Sequence, residues 1–447
     1  MKQEKGIEKD NLVKLFLIFL ATTLILLNCS FTGYAIPSFA RQTGLACVSC
    51  HTTFPELNSF GRQFKLNGYT MTNIPTIDAV NDSDINRLNL LATSPISSML
   101  MASYSNVNTK MPGTQNNNVE FPQQLSLFSA GQITRHLGTF IQLTYDPQSG
   151  SIGLDNTDIR YSNHTLLMSN DLLYGFTLNN NPSVQDVWNT VPAWHYPYST
   201  SGVAPSPSAS TLIDGGLAQQ VAGLGTYGMF NYFLYYELSI YRSAPQGAIN
   251  PPDSSSNNTI SGVAPYWRIA LQHQFGKHYL MIGTFGMYTN LFPQYASGPE
   301  DHYTDIGIDL QYEYYLPKAV ITAHSSLILE NRKFDATFAK SGADNLSSKL
   351  NSFKIDGNIY FQKGIGLTLG YFNTFGDADK TLYQTFIGKP DSNGSLIEIN
   401  YLPWYNTKFS IQYIMYNKFD GLSKNYDGSN RNASQNNTIY CLAWFSF

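Results

Sequence analysis

The chain has 447 residues, with 27 basic against 31 acidic side chains and a formal net charge of −4 at pH 7, a balance that argues against nucleic acid as a partner. Charged residues are only 13% of the chain while aromatics reach 14%, with 30 Tyr and 27 Phe. After residue 35 no run of about 18 apolar residues occurs, which excludes a helical membrane protein.

Residues 1–35 have the form of a secretory signal. Lys2, Lys5, Lys9 and Lys14 precede the apolar run 15–27, and Gly33-Tyr34-Ala35 supplies a small-x-small cleavage site, so the mature chain is expected to begin near Ile36. A retained anchor and a lipoprotein cut before Cys29 are the alternatives. The apolar run is short for a span, and Asn28 is a poor residue before a lipidated cysteine. Loss of the signal's four Lys and three acids would take the net charge from −4 to −5.

Cys47-Val48-Ser49-Cys50-His51 follows. Two thiols at this spacing add across the vinyl groups of a haem, and the adjoining His51 supplies the proximal iron ligand, so the motif predicts one covalently bound haem c. A thioredoxin-like pair needs a βαβ context, and a zinc site needs four ligands, whereas the remaining cysteines are Cys29 and Cys441. Attachment of this kind takes place outside the cytoplasmic membrane, which agrees with the signal segment.

Residues 36–87 are expected to form a small α-helical, cytochrome c-like segment, with 77–91 as linker. Thr53 is expected to cap a helix that carries Pro55 in its first turn and Leu57, Phe60 and Phe64 on its apolar stripe. So short a segment cannot enclose a porphyrin with its own core, which predicts a plug in the lumen or periplasmic mouth of a larger body. Arg41, Arg62 and Lys65 are candidate partners for the haem propionates, or solvated surface charges. Met71, the nearest thioether after His51, is the candidate distal ligand, and Met99 and Met101 share one strand face. His136, His164, His195, His273, His278, His302 and His324 fall mostly at turns or loops and carry little weight as ligands.

Residues 88–447 have the pattern of a transmembrane β-barrel. In 303–316, Ile306, Ile308, Leu310, Tyr312 and Tyr314 fall on one face and Asp305, Gly307, Asp309, Gln311 and Glu313 on the other. A soluble sandwich shares that period, so the loops decide. With the first strand at about 95–105, long polar connections (106–118, 244–261, 331–348, 375–394, 419–436) alternate with short ones (135–138, 229–232, 276–278, 316–318, 363–366, 402–405), the asymmetry of an outer-membrane barrel. The count is about sixteen antiparallel strands, to within a hairpin. The last strand, 438–447, ends on a terminal Phe, with Cys441 on its lipid face. The loop 181–215 carries Trp188 and Trp194 and is expected inside the barrel, as a constriction or a wall, with an external cap as the alternative.

Residues 37–69, the run Asp155-Asn156-Thr157-Asp158-Ile159-Arg160-Tyr161 and the loop 179–194 together resemble the fused cytochrome-porin family of outer-membrane iron-oxidising monohaem c-type cytochromes. The resemblance implies a single haem c, a sixteen-stranded barrel in outer-membrane lipid, and oxidation of extracellular Fe(II). A periplasmic c-type cytochrome is the expected electron acceptor. The alternative function is a porin or solute channel whose haem plug is redox-inactive or sensory. Lumen carboxylates such as Asp158, Asp305, Asp309 and Glu313 would raise the local cation concentration or be ordinary polar lumen residues, and none is assigned as an iron site.

Overall fold

The computed structural model describes residues 38–71, 93–245, 251–253 and 255–447. The expected signal segment and the linker 77–91 lie outside these residues.

The N-terminal segment is built from helix α1 (Ser38–Thr43), a small hairpin of β1 (His51–Thr53) and β2 (Glu56–Leu57), and helix α2 (Ser59–Leu66). The cap differs from expectation. Thr53 pairs with Glu56 in the hairpin, Phe54 and Pro55 make its turn, and the Asn58 side chain caps α2 by accepting from Gly61 N at 3.0 Å. Asn is the stronger N-cap, and placing Pro55 in the turn leaves the helix ladder intact. On α2, Phe64 is buried and Phe60 is 41% exposed.

Sixteen long strands form the wall among the described residues. They are β3 (Ile96–Val107), β4 (Asn118–Gln132), β5 (Leu137–Asp146), β6 (Ser151–Leu167), β7 (Asn170–Asn179), β8 (Val221–Phe230), β9 (Leu234–Ser243), β11 (Ala264–Phe275) and β12 (His278–Phe292). The wall continues with β13 (Asp301–Leu316), β14 (Ala319–Lys333), β15 (Ser347–Phe361), β16 (Ile365–Gly376), β17 (Ser392–Trp404), β18 (Thr407–Lys418) and β19 (Thr438–Ser446). A two-residue strand, β10 (Thr259–Ile260), pairs with β12 beyond the start of β11. Each long strand runs antiparallel to its neighbours, and β19 returns to β3 with Ala443 opposite Ala102, so the sheet closes without a free edge.

Alternation sets what faces where. On β13, Asp305, Asp309, Gln311 and Glu313 are buried inward, while Ile306 and Ile308 are exposed outward. Exposed Leu238, Ile240, Ile282, Leu369 and Ile399 continue the outer apolar band. Phe275, Phe361 and Tyr405 stand near the short-turn rim and Tyr288 and Phe375 toward the other, the girdles of a lipid-embedded barrel. Cys441 lies outward between Ile439 and Ala443. Long and short connections alternate except at residues 147–150, where an outer connection is also short.

The lumen is packed. The connection 180–220 folds inward, with Arg268 of β11 held between Asp186 of the loop (2.8 Å) and Asp309 of β13 (2.6 Å). The N-terminal segment lies against the same interior: Tyr69 Oη donates to Asp158 Oδ2 at 2.7 Å, and Arg62 is paired with Glu313. Gly138 allows the closest approach, because a Cβ there would overlap the carbonyl of Gly68.

Candidate functional site

Segment, inward loop and wall line a partly open cavity of about 530 Å³. Cys47, Cys50 and His51 line it from the segment, together with Phe39, Leu57 and Phe64. Met99, Met101, Phe128, Phe140 and Trp444 line it from the wall, and Trp194, His195 and Tyr198 from the loop. Tyr405 and Asn406, the turn between β17 and β18, close it at the short-turn rim, and Asp155 and His195 lie at its far end toward the long loops.

Local structure presents the motif. Residues Cys47–Ser49 make one 3₁₀ turn, with Cys50 N donating to Cys47 O at 3.1 Å, which brings the two thiols onto the same side of the chain. Gly61 of α2 sits directly on the Cys50 carbonyl, where a Cβ would overlap it. His51 Nδ1 donates to Pro55 O at 3.2 Å, which leaves Nε2 with its lone pair for a metal. Burial lowers the His51 pKa and so favours the neutral, ligating form. Burial also raises both thiols, Cys50 to about 11 with the neighbouring Cys47 adding to the shift.

These residues fit a covalently held haem. Two thiols and one imidazole are the donor set for thioether attachment and proximal ligation, and the rest of the lining is predominantly aromatic and aliphatic, as a porphyrin face requires. Trp444 and His195 line the cavity, and Trp444 Nε1 and His195 Nδ1 are buried without a hydrogen-bond partner among the described residues.

Other sequence expectations divide. Met71 does not line the cavity, and its backbone N–H donates to Gln132 Oε1 at 3.0 Å, whereas Met99 and Met101 both line it. Arg41 donates to Ile96 O, and Arg62 is committed to Glu313. Lys65 lines the cavity with its Nζ donating to Val184 O and Asp186 O, each at 2.8 Å, and burial lowers its pKa to about 7. Trp194 lines the cavity, but Trp188 is packed behind it, with Nε1 donating to Tyr279 Oη at 2.7 Å. Of the four lumen carboxylates, Asp158, Asp309 and Glu313 are taken by Arg160, Arg268 and Arg62, and the oxygens of buried Asp305 have no hydrogen-bond partner among the described residues.

Sequence reasoning missed the surroundings of His195. Its Nε2 meets Lys354 Nζ at 2.6 Å and Asp214 Oδ1 at 3.1 Å, and Lys354 Nζ donates to Asp214 Oδ2 at 2.8 Å. Burial alone would raise the Asp214 carboxyl, but Lys354 and His195 hold it well below the usual range. Asp214 and Lys354 line a second cavity, of about 310 Å³, toward the long loops, and Pro197 borders both cavities. The usable signal was the step from Trp194 to His195 in a loop already marked for burial.

No family model matches the chain, and no curated protein matches it. Among solved structures, a loop-deletion form of OmpT of Vibrio cholerae is 11% identical over 79% of this chain and 98% of its own, with a TM-score of 0.44. The channel DcaP of Acinetobacter baumannii is 13% identical over 79% and 96%, also at 0.44. An anion-selective porin from Comamonas acidovorans is 12% identical over 79% and 98%, again at 0.44. The architecture of this chain rests on its own closed strand pairing.

Proposed function

We propose that the chain is an outer-membrane electron-transfer protein that takes electrons from extracellular Fe(II) and passes them to a periplasmic acceptor, through one haem c in the lumenal cavity. The observation that carries this reading is the convergence of Cys47, Cys50 and His51 on an apolar cavity completed by the barrel wall and the inward loop.

When bound, a haem c supplies a one-electron centre: one Fe(II) becomes Fe(III), and the same electron later reduces one oxidised acceptor. Cys47 and Cys50 would hold it through thioethers and His51 through Nε2. Phe64, Trp194 and Tyr198 would supply apolar contact to the porphyrin, and the cavity extends from the short-turn rim toward the long loops. Only the electron need cross, so ferric product stays outside. A periplasmic c-type cytochrome is the partner whose chemistry suits the short-turn side.

A haem-stained gel of the outer-membrane fraction, followed by Fe(II) titration of the purified protein's absorbance spectrum, tests the proposal. Covalent haem reduced by Fe(II) is the expected result, and haem that dithionite reduces but Fe(II) does not would remove iron as the donor. The second reading, a solute channel with a haem-bearing or sensory plug, rests on the barrel itself, since sixteen strands are enough to enclose an aqueous pore. A large open conductance would favour it.

A further inference from the structure

The ring of His195 is fixed from one side only. Lys354 Nζ, which can only donate, is 2.6 Å from Nε2, and Asp214 Oδ1 is 3.1 Å from the same atom. If Nε2 accepts from Lys354, the neutral ring carries its proton on Nδ1, and in the imidazolium form Nδ1 is protonated as well. Nδ1 is buried and has no partner among the described residues, although His195 lines the large cavity. A buried N–H left unmatched is unfavourable by about 1–3 kcal/mol, so an acceptor in the cavity is its natural complement.

The position of His195 selects the acceptor. Cys47 and Cys50 belong to the segment near the short-turn rim, whereas His195 and Asp155 lie at the end toward the long loops. In a haem c the thioether-bearing vinyl groups and the propionates project from opposite parts of the porphyrin edge. Resting on the haem reading above, we propose that His195 is the seat of a haem propionate, donating from Nδ1 to its carboxylate while Lys354 and Asp214 hold the ring from behind. Lys354 is balanced by Asp214 at 2.8 Å, so the seat offers the propionate a directed hydrogen bond from a ring held in place on its other side. Because Lys354 and Asp214 also line the outer cavity, this places the propionate edge nearest the side from which an external donor arrives.

The test uses purified full-length holoprotein in detergent. Resonance Raman of the unmodified protein should show a propionate bending mode that shifts in D₂O, the signature of a hydrogen-bonded carboxylate. His195→Leu should move that mode and lower the midpoint potential, because an uncompensated carboxylate stabilises ferric iron, while leaving the spin state unchanged. His195→Asn, whose amide N–H stands near the place of Nδ1, should restore both. Should His195→Leu fail to fold, His195→Phe, which keeps a ring but removes both nitrogens, should still move the mode and lower the potential. Loss of the low-spin spectrum in His195→Leu would make His195 the distal ligand and overturn the proposal. An unaltered propionate mode and potential in every variant would overturn it too. Absence of covalent haem would sink the underlying reading, which is a separate outcome.

Discussion

Arg62 on α2 and Glu313 on β13, 251 residues apart in sequence, form a two-pronged ion pair with both side chains buried. It ties the N-terminal segment to the barrel wall at a place where neither charge has access to water. Removing one partner strands the other, a loss of about 3–5 kcal/mol, whereas replacing both with apolar residues recovers most of it. Glu313→Leu should therefore release the segment to protease without opening the barrel, and Arg62→Leu/Glu313→Leu should restore protection. Limited proteolysis followed by heat-shift electrophoresis of the barrel reads both. A fully protected Glu313→Leu segment would show that the pair does not hold it.

Much of this was legible because strands and lipid impose simple patterns. The period of two on β13 placed Asp305, Asp309 and Glu313 inside, and loop lengths located the turns at 276–277 and 317–318 to within about two residues. The segment was harder: Thr53 and Pro55 satisfy the rules for a helix start, but Asn58 is the stronger cap, and the pairing of Thr53 with Glu56 that turns Pro55 into a hairpin residue has no one-dimensional signal. The His195 end of the cavity was illegible for a different reason. His195, Asp214 and Lys354 meet only because the loop folds into a barrel whose β15 supplies Lys354, a contact spanning 159 residues.

The haem motif makes its own prediction. Cys50→Ala should remove one thioether and weaken haem retention, and His51→Ala, if it keeps haem, should change the spin state and potential. Barrel assembly should survive both, because neither Cys50 nor His51 belongs to the strand ladder that closes the wall. Haem staining and heat-shift electrophoresis of membranes separate the two effects. Disappearance of the Cys50→Ala protein from the membrane would make haem an assembly requirement.

The two loop tryptophans should differ. Trp194→Ser removes a wall of the cavity and should raise access of small ligands such as imidazole to the proposed haem, with a smaller loss of stability than at Trp188 because the Trp194 ring is only partly buried. Trp188 is fully buried, packs edge-on to Tyr235 at 5.2 Å and lies under Arg268 at 4.8 Å, so Trp188→Ser should destabilise the inward loop by about 3–5 kcal/mol. Thermal unfolding and ligand-binding rates measured on each variant check this. Equal effects from both would contradict the distinct positions of the rings.

Glu56 gives a pH dependence of unusual sign. Burial raises its pKa from 4.5 to about 7, with His324 opposing the shift and Asp356 adding to it. Between these two values the folded protein keeps a proton that the unfolded chain has lost. Its contribution is complete below the unfolded value and is lost as pH rises through about 7, a fall of up to ~3 kcal/mol. Thermal unfolding across that window should show stability declining with pH, and Glu56→Gln should flatten the decline. An unchanged slope in Glu56→Gln would assign the dependence to other groups.

Conductance decides between the two functional readings. A barrel of sixteen strands has room for an aqueous pore, yet here Trp188, Arg160, Asp186, Arg268 and Arg62 are all buried in the lumen, and the loop and segment occupy the same cross-section. Reconstituted protein should therefore pass little current. Deleting residues 183–213, with a short polar linker in their place, removes the Arg268–Asp186 anchor and the Trp188 packing together, and should raise the current toward that of an unobstructed barrel. The strands should still close, since 180–220 contributes no wall pairing. A large, steady current through the unmodified protein would mean that loop and segment leave a continuous water path, and the channel reading would then displace electron transfer as the function of the barrel.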